Sequence, residues 1–229
     1  MRATLFFILL SMTIGYSQNM PSDMPSDMPI DQGSDVMALD ILDAVHKDYY
    51  SVDSHRFDFS IGMEYPEHEG ENFNGTLIQK GEQFSLDVKD RKIISDNTTV
   101  WVYHKKRNEV EINDAEPGDT GDIMTPSTII DLYKSDDYIF VVSNYIFEKG
   151  ENVTQIECKP TDRASEYSKI RLTIADKSNA IRRVKVFHKD GTRMTMILDK
   201  HQKDYSTDAA TFSFDESQHE GVHVEDLRF

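Results

Sequence analysis

The sequence predicts a mainly β chain with helices (α+β), folded as an incomplete antiparallel β-barrel of about eleven strands. Three observations predict it. Apolar and polar residues alternate with a period of two in run after run between His55 and Leu198, with short turns between the runs. Only two principal segments, one from Val36 to about Tyr50 and one after Pro126, carry the three- and four-residue spacing of a helix. No repeat of solenoid period interrupts the series. So many strands in one chain favour a strongly curved sheet over two flat layers.

The 229 residues, 38% hydrophobic and 10% aromatic, are enough for one domain with its own core. Arg2, the apolar run Leu5 to Leu10 and Gly15-Tyr16-Ser17 match a signal peptide over residues 1–17, with the mature chain starting at Gln18. No cysteine stands at that cleavage point, so the chain is not expected to be a lipoprotein itself. Residues 18–35 hold Met20-Pro21-Ser22-Asp23 and its copy Met24-Pro25-Ser26-Asp27, a polar leader expected to be disordered. The domain proper is expected over 36–229.

Its elements follow in order. Ala38, Ile41, Leu42, Val45 and Tyr49 form a helical stripe that Ser34 or Asp35 can cap. Phe57, Phe59, Ile61 and Met63 then alternate with polar residues, giving a strand with one wholly apolar face. Strands follow at Phe73 to Lys80 and around Phe84, Leu86 and Val88. The stretch Ser95 to Ile112 reads as a hairpin: Asp96-Asn97 turns into Thr99 to Tyr103, the basic turn Lys105-Lys106-Arg107 follows, and Glu109 to Ile112 returns. This first strand, with the chain's single tryptophan, is apolar on both faces and must be covered on both. An acidic loop, Asp114 to Asp122, leads to a short helix capped by Thr125, with Pro126 in its first turn and Ile129, Ile130 and Tyr133 along one side. Strands resume at Tyr138 to Phe147, Val153 to Cys158, Ser168 to Ile174, Ala180 to His188 and around Met194, Met196 and Leu198, with short ones near Phe212 to Phe214 and Gly221 to Leu227.

Composition narrows the function. A formal charge of −16 excludes nucleic acid as a partner and repels anionic membrane surfaces. The single cysteine, Cys158, forms no internal disulfide and reads as a buried strand residue. His219 and His223 with Glu220 and Glu225 have ligand spacing only on a helix, whereas Val222 and Val224 argue for a strand, so neither a metal nor a cofactor is expected. Nucleophile-elbow and phosphate-loop motifs are missing, and no catalytic constellation emerges. Lys105, Lys106 and Arg107, like Arg182-Arg183, read either as solvated turns and strand faces or as docking patches for an acidic partner.

The order of elements and four motifs resemble the LolA family of periplasmic lipoprotein carriers over nearly all of the chain after the leader. The motifs are Phe57-x-Phe59 after the first helix, Ser95-Asp96-Asn97 to Trp101-x-Tyr103, Thr125-Pro126 with Ile129-Ile130, and the closing Ala209 to Phe214 and Gly221 to Asp226 segments. The resemblance implies an α-helical lid over an apolar cavity that shields lipoprotein acyl chains between an inner-membrane lipoprotein-releasing ABC transporter and the outer membrane. The carrier would be a periplasmic, non-enzymatic monomer. On that reading Phe57, Phe59, Ile61, Met63, Phe84, Leu86, Trp101, Tyr103, Met194 and Met196 line the cavity, Ile129, Ile130 and Tyr133 belong to the lid, and Lys105, Lys106 and Arg107 form the docking site. Family members carry Arg-Pro at the turn after the second strand; here Lys80-Gly81 stands there, and the resemblance implies that Lys80 latches the lid without arginine's planar fork. A related barrel that senses lipids or lipoproteins for the envelope stress response is the alternative, and an exported enzyme with titratable groups in the cavity is the third.

Overall fold

The structure is a computed structural model and describes residues 33–115 and 126–228. The expected signal peptide, nearly all of the leader, the Thr125 cap and most of the acidic loop lie outside the described residues.

Helix α1 (Val36–Tyr49) begins at Asp35, whose carboxylate accepts the Met37 amide at 2.9 Å, and buries Ala38, Leu42, Val45 and Tyr49 along one stripe. Six strands follow as a meander: β1 (Ser54–Glu64), β2 (Glu71–Lys80), β3 (Gln83–Val88), β4 (Arg91–Ser95), β5 (Thr99–His104) and β6 (Glu109–Asp114). After α2 (Pro126–Asp131) and a 3-10 turn at Leu132–Lys134 come β7 (Tyr138–Glu148), β8 (Glu151–Pro160), β9 (Tyr167–Ala175), β10 (Ile181–His188) and β11 (Arg193–Lys203). The last strand, β12 (His223–Asp226), follows 3-10 turns at Ala209–Phe212 and Glu216–Gln218.

All twelve strands form one unclosed sheet in the order β12-β6-β5-β4-β3-β2-β1-β11-β10-β9-β8-β7. Two hairpin-linked halves meet at β1 and β11, which pair antiparallel from His55↔Lys203 to Glu64↔Arg193 with a bulge at Asp58/Phe59. One extra residue on a strand bends it and raises its twist, so the bulge sharpens the curvature at the seam. β6 and β7 flank opposite sides of the sheet, so the chain between them crosses its whole width, and α2 rides on that crossover. β12 returns alongside β6 as the sheet's one parallel pair.

Twelve strands replace the expected eleven or so, and two assignments change. β4 is a five-residue strand behind a tight turn with Lys89 at φ 51°, too short for alternation to reveal it. The run at Phe212 is a 3-10 turn, because Asp208 and Thr211 form a reciprocal capping box there and turn the chain. The turn into β5 is as expected: Asn97 takes φ 80°, and the Asp96 carboxylate accepts the amides of Thr98 and Thr99, each at 2.8 Å.

The main core lies on the face covered by α1 and α2. Register carries one row through the first half unbroken: Phe57 pairs with Leu77, Leu77 with Leu86, Leu86 with Ile93 and Ile93 with Val102. Across the seam, Ile61 and Met63 pair with Met196 and Met194, which pair in turn with Val184 and Val186. Each such side chain contributes about 1.5–3 kcal/mol when fully buried, so this face anchors the fold. A smaller cluster, with Ile94, Tyr103, Val110 and Ile112, lies on the opposite face under the C-terminal tail, where Phe214 and His219 pack on Tyr103 at ring distances of 5.2 and 4.4 Å.

Candidate functional site

The site is built where the helices meet the sheet. β1 presents Phe57, Phe59, Ile61 and Met63 on one face because they are two residues apart; β3 adds Phe84 and Leu86, and β11 adds Met194 and Met196. Eight of the ten expected lining residues therefore converge in one core. Ile129 and Ile130 of α2 are buried against it, and Tyr133, on the following turn, packs beside them.

Trp101 and Tyr103 do not belong to this face. They pair with Ile94 and Lys92, one residue out of phase with Ile93, and so point to the opposite side of the sheet. Val100 and Val102 take their place against the main core. The Tyr103 hydroxyl instead donates to Asn108 Oδ1 at 3.0 Å under the C-terminal tail. This corrects the expected lining.

The latch is corrected as well. Lys80 pairs with Ser54, out of phase with the core row, and is exposed on the side away from α2. Its neighbour Gln79 is in phase with Leu77 and is buried. Gln79 Nε2 donates to Ser127 Oγ on α2 at 2.9 Å and to the Gly81 carbonyl at 3.1 Å, while Oε1 accepts the Tyr49 hydroxyl at 2.8 Å. One neutral amide thus ties sheet, α1 and lid together. Further ties run between the helices: Tyr50 Oη donates to Asp131 Oδ2 at 2.6 Å and Tyr133 Oη to Asp43 Oδ1 at 3.4 Å.

A polar pair missing from the sequence reading sits at the same end. His55 Nδ1 and His201 Nε2 lie 2.9 Å apart, in a stack where Tyr49 covers His55 at 4.1 Å and Phe57 covers His201 at 4.2 Å. Burial disfavours the charged form of both rings, and the neighbouring His55 and Lys203 add to this at His201, which falls to about 4. The hydrogen bond requires one ring to donate and the other to accept, which two neutral imidazoles satisfy.

Lid and sheet are in direct contact. Between Val45, Tyr49, Phe57, Ile130, Leu198 and His201 the remaining void is about 30 Å³. Such a space holds about one water molecule and no acyl chain. A broader groove of about 610 Å³ lies on the opposite face, but Arg56, Asp58, Asn74, Asp87, Lys92 and Asp199 line it. Its charged side chains make that groove a poorer match for acyl chains than the apolar face under the helices.

The expected docking cluster is neutralised within the chain. Lys105 pairs with Asp87, Lys106 with Asp90 at 3.4 Å, and Arg107 with Glu109 and Glu111 at 3.3 and 3.5 Å. Cys158 is fully buried, and desolvation pushes its thiol pKa up, which keeps it inert. Among the described residues no group of three or more His, Cys, Asp or Glu could hold a metal ion.

Comparison with known proteins bears on this arrangement. The family model "Outer membrane lipoprotein carrier protein LolA" matches residues 52–215. An uncharacterized conserved protein from Thermus thermophilus shares the fold at a TM-score of 0.56 with 10% identity, over 83% of this chain and 99% of that one. A LolA superfamily protein from Nitrosomonas europaea is 13% identical over 77% of this chain and 97% of that one, at a TM-score of 0.38. A putative outer membrane lipoprotein-sorting protein domain from Vibrio parahaemolyticus is 11% identical over 77% and 96%, at 0.44. No curated protein matches the sequence.

Proposed function

The chain belongs to the LolA family of outer membrane lipoprotein carrier proteins, and on that premise we propose that it is a periplasmic carrier that shields the acyl chains of lipoproteins in transit to the outer membrane. The observation that carries this reading is the apolar sheet face beneath a helix held to the sheet by the Gln79 amide. Each methylene withdrawn from water gains about 0.8 kcal/mol, so a lipoprotein's acyl chains cross an aqueous space only inside an apolar container. The eight converging residues would line that container once α2 lifts, with Ile129 and Ile130 as its movable wall. No bond is made or broken in such a cycle. An inner-membrane lipoprotein-releasing transporter would load the carrier, and an outer-membrane acceptor that binds the acyl chains more tightly would unload it.

Mass spectrometry of ligands extracted from gently purified protein tests the reading. Acylated polypeptides support a carrier, whereas free lipid alone would move the assignment to a lipid-sensing module. A variant gives the functional counterpart. Ile130→Asp is expected to weaken binding of a fluorescent diacylated lipopeptide at least tenfold, yet to lower stability by less than about 3 kcal/mol because the lid can swing the carboxylate into water. Loss of folding in step with loss of binding would mean that Ile130 serves a sealed core.

A further inference from the structure

The face of β8 to β11 away from the helices carries a cationic surface that the carrier reading does not use. Its centre is Phe187. Lys169 Nζ, Arg171 Cζ, Lys185 Nζ and Arg193 Cζ lie 5.1, 5.4, 5.6 and 5.9 Å from the centroid of that ring. Register explains the convergence, since Phe187 pairs with Lys169 on one side and Arg193 on the other, and Lys185 pairs with Arg171 and Thr195. The next row adds Arg183, opposite Thr173 and Ile197.

These five cations have too few carboxylates. Lys169 and Arg171 share Glu157, at 2.8 and 2.6 Å; Arg183 holds Glu148 and Lys185 holds Glu64. Arg193 has no ion pair among the described residues. Lys105, Lys106 and Arg107, in contrast, each have an acid of their own. Beside Lys185, the Thr195 hydroxyl is buried with no hydrogen-bond partner. In a chain with formal charge −16, positive groups gathered round one ring are a local reversal of sign. The ring also holds the cations in place, so less side-chain freedom is lost when an anion arrives.

We propose that this face, centred on Phe187 with Arg193 unpaired among the described residues and Lys169 sharing a single acid with Arg171, docks an acidic segment of a partner protein. Carboxylates spaced along such a segment meet the Arg193 fork and the Lys169 ammonium on either side of Phe187, and an apolar side chain among them covers the exposed part of the ring. An anionic bilayer suits the surface less well. Each basic group near such a membrane strengthens binding only about fivefold, and two uncompensated charges give about thirtyfold, set against repulsion of the rest of the chain. The assignment is independent of whether acyl chains bind under the lid.

Fluorescence anisotropy with a labelled peptide of ten glutamates and one central tryptophan tests it, in parallel with phosphatidylglycerol vesicles. The full-length protein is expected to bind the peptide at low salt. Combining Arg193→Glu with Lys169→Glu should weaken this at least tenfold, and Arg193→Gln with Lys169→Gln should weaken it less. Reversing Lys105 and Lys106 to glutamate should change it less than twofold, and lipopeptide binding should stay constant in every variant. Absence of peptide binding, equal loss at both clusters, or preference for the vesicles would each overturn the proposal.

Discussion

Replacing Gln79 with methionine keeps the volume of the side chain but removes its hydrogen bonds to Ser127, Gly81 and Tyr49. Two effects separate. Only the bond to Ser127 joins sheet to lid, and a hydrogen bond of this kind is worth about 1 kcal/mol net, so local opening of α2 should rise about fivefold. The Tyr49 hydroxyl loses Gln79 as acceptor but keeps Ser127 as a hydrogen-bond partner, so the added loss of global stability is about 1 kcal/mol. Hydrogen exchange reads the first effect at the α2 amides, and urea unfolding reads the second as a shift in midpoint at constant slope. Lys80→Met serves as the control and should move neither quantity by more than about 0.5 kcal/mol, because Lys80 is exposed on the other side of the strand. If Lys80→Met loosened α2 as much as Gln79→Met, or if Gln79→Met left α2 exchange unchanged, the latch would be wrongly placed.

Other perturbations follow from the same geometry. Gly75 faces Phe59 across the β1–β2 pair, and a methyl group there would penetrate the Phe59 ring, so Gly75→Ala should cost about 1–3 kcal/mol in urea unfolding; an unchanged midpoint would disprove the close approach. The His201 pKa is depressed on folding, so between the unfolded value of about 6.5 and the folded value of about 4 the unfolded chain binds more protons and stability falls as the pH is lowered. The full shift corresponds to about 3 kcal/mol, and solvent screening of a partly exposed ring reduces this to about 1–2 kcal/mol. Thermal melts from pH 7.5 to 4.5 should therefore show a shallower decline for His201→Gln than for the native chain, and parallel curves would remove the histidine pair as the cause.

Much of the architecture could be read from the sequence because β1, β9 and β11 alternate cleanly, so Phe57 to Met63, Ile170 to Ile174 and Met194 to Leu198 each declare one inward face. β5 declares none. Val100 and Val102 are covered by the main core and Trp101 and Tyr103 face the other way, and only the register inherited from Leu86 through Ile93 decides which is which. The tail that covers Tyr103 arrives from about a hundred residues later, beyond the reach of local patterning. The latch was closer to hand. Phe73, Leu77 and Gln79 share one phase of β2 and Lys80 falls in the other, so a polar residue in the apolar phase was the signal, as it was for His55 one step before Phe57. Neutralisation of Lys105, Lys106 and Arg107 depends on acids from neighbouring turns and strands, which spacing alone does not place.

The β1–β11 seam has a consequence for how the molecule assembles. Each half of the sheet grows by pairing successive strands, which closes only short loops and proceeds quickly. The seam joins residues such as His55 and Lys203, among the most distant in sequence that the sheet brings together. Until β11 is available, β1 presents an unpaired edge along eleven residues beside Phe57, Phe59 and Ile61, the arrangement most prone to wrong strand addition. Seam closure is therefore expected to limit the folding rate, and a chain emerging N-terminus first would be most vulnerable to aggregation in the interval between completion of β6 and arrival of β11.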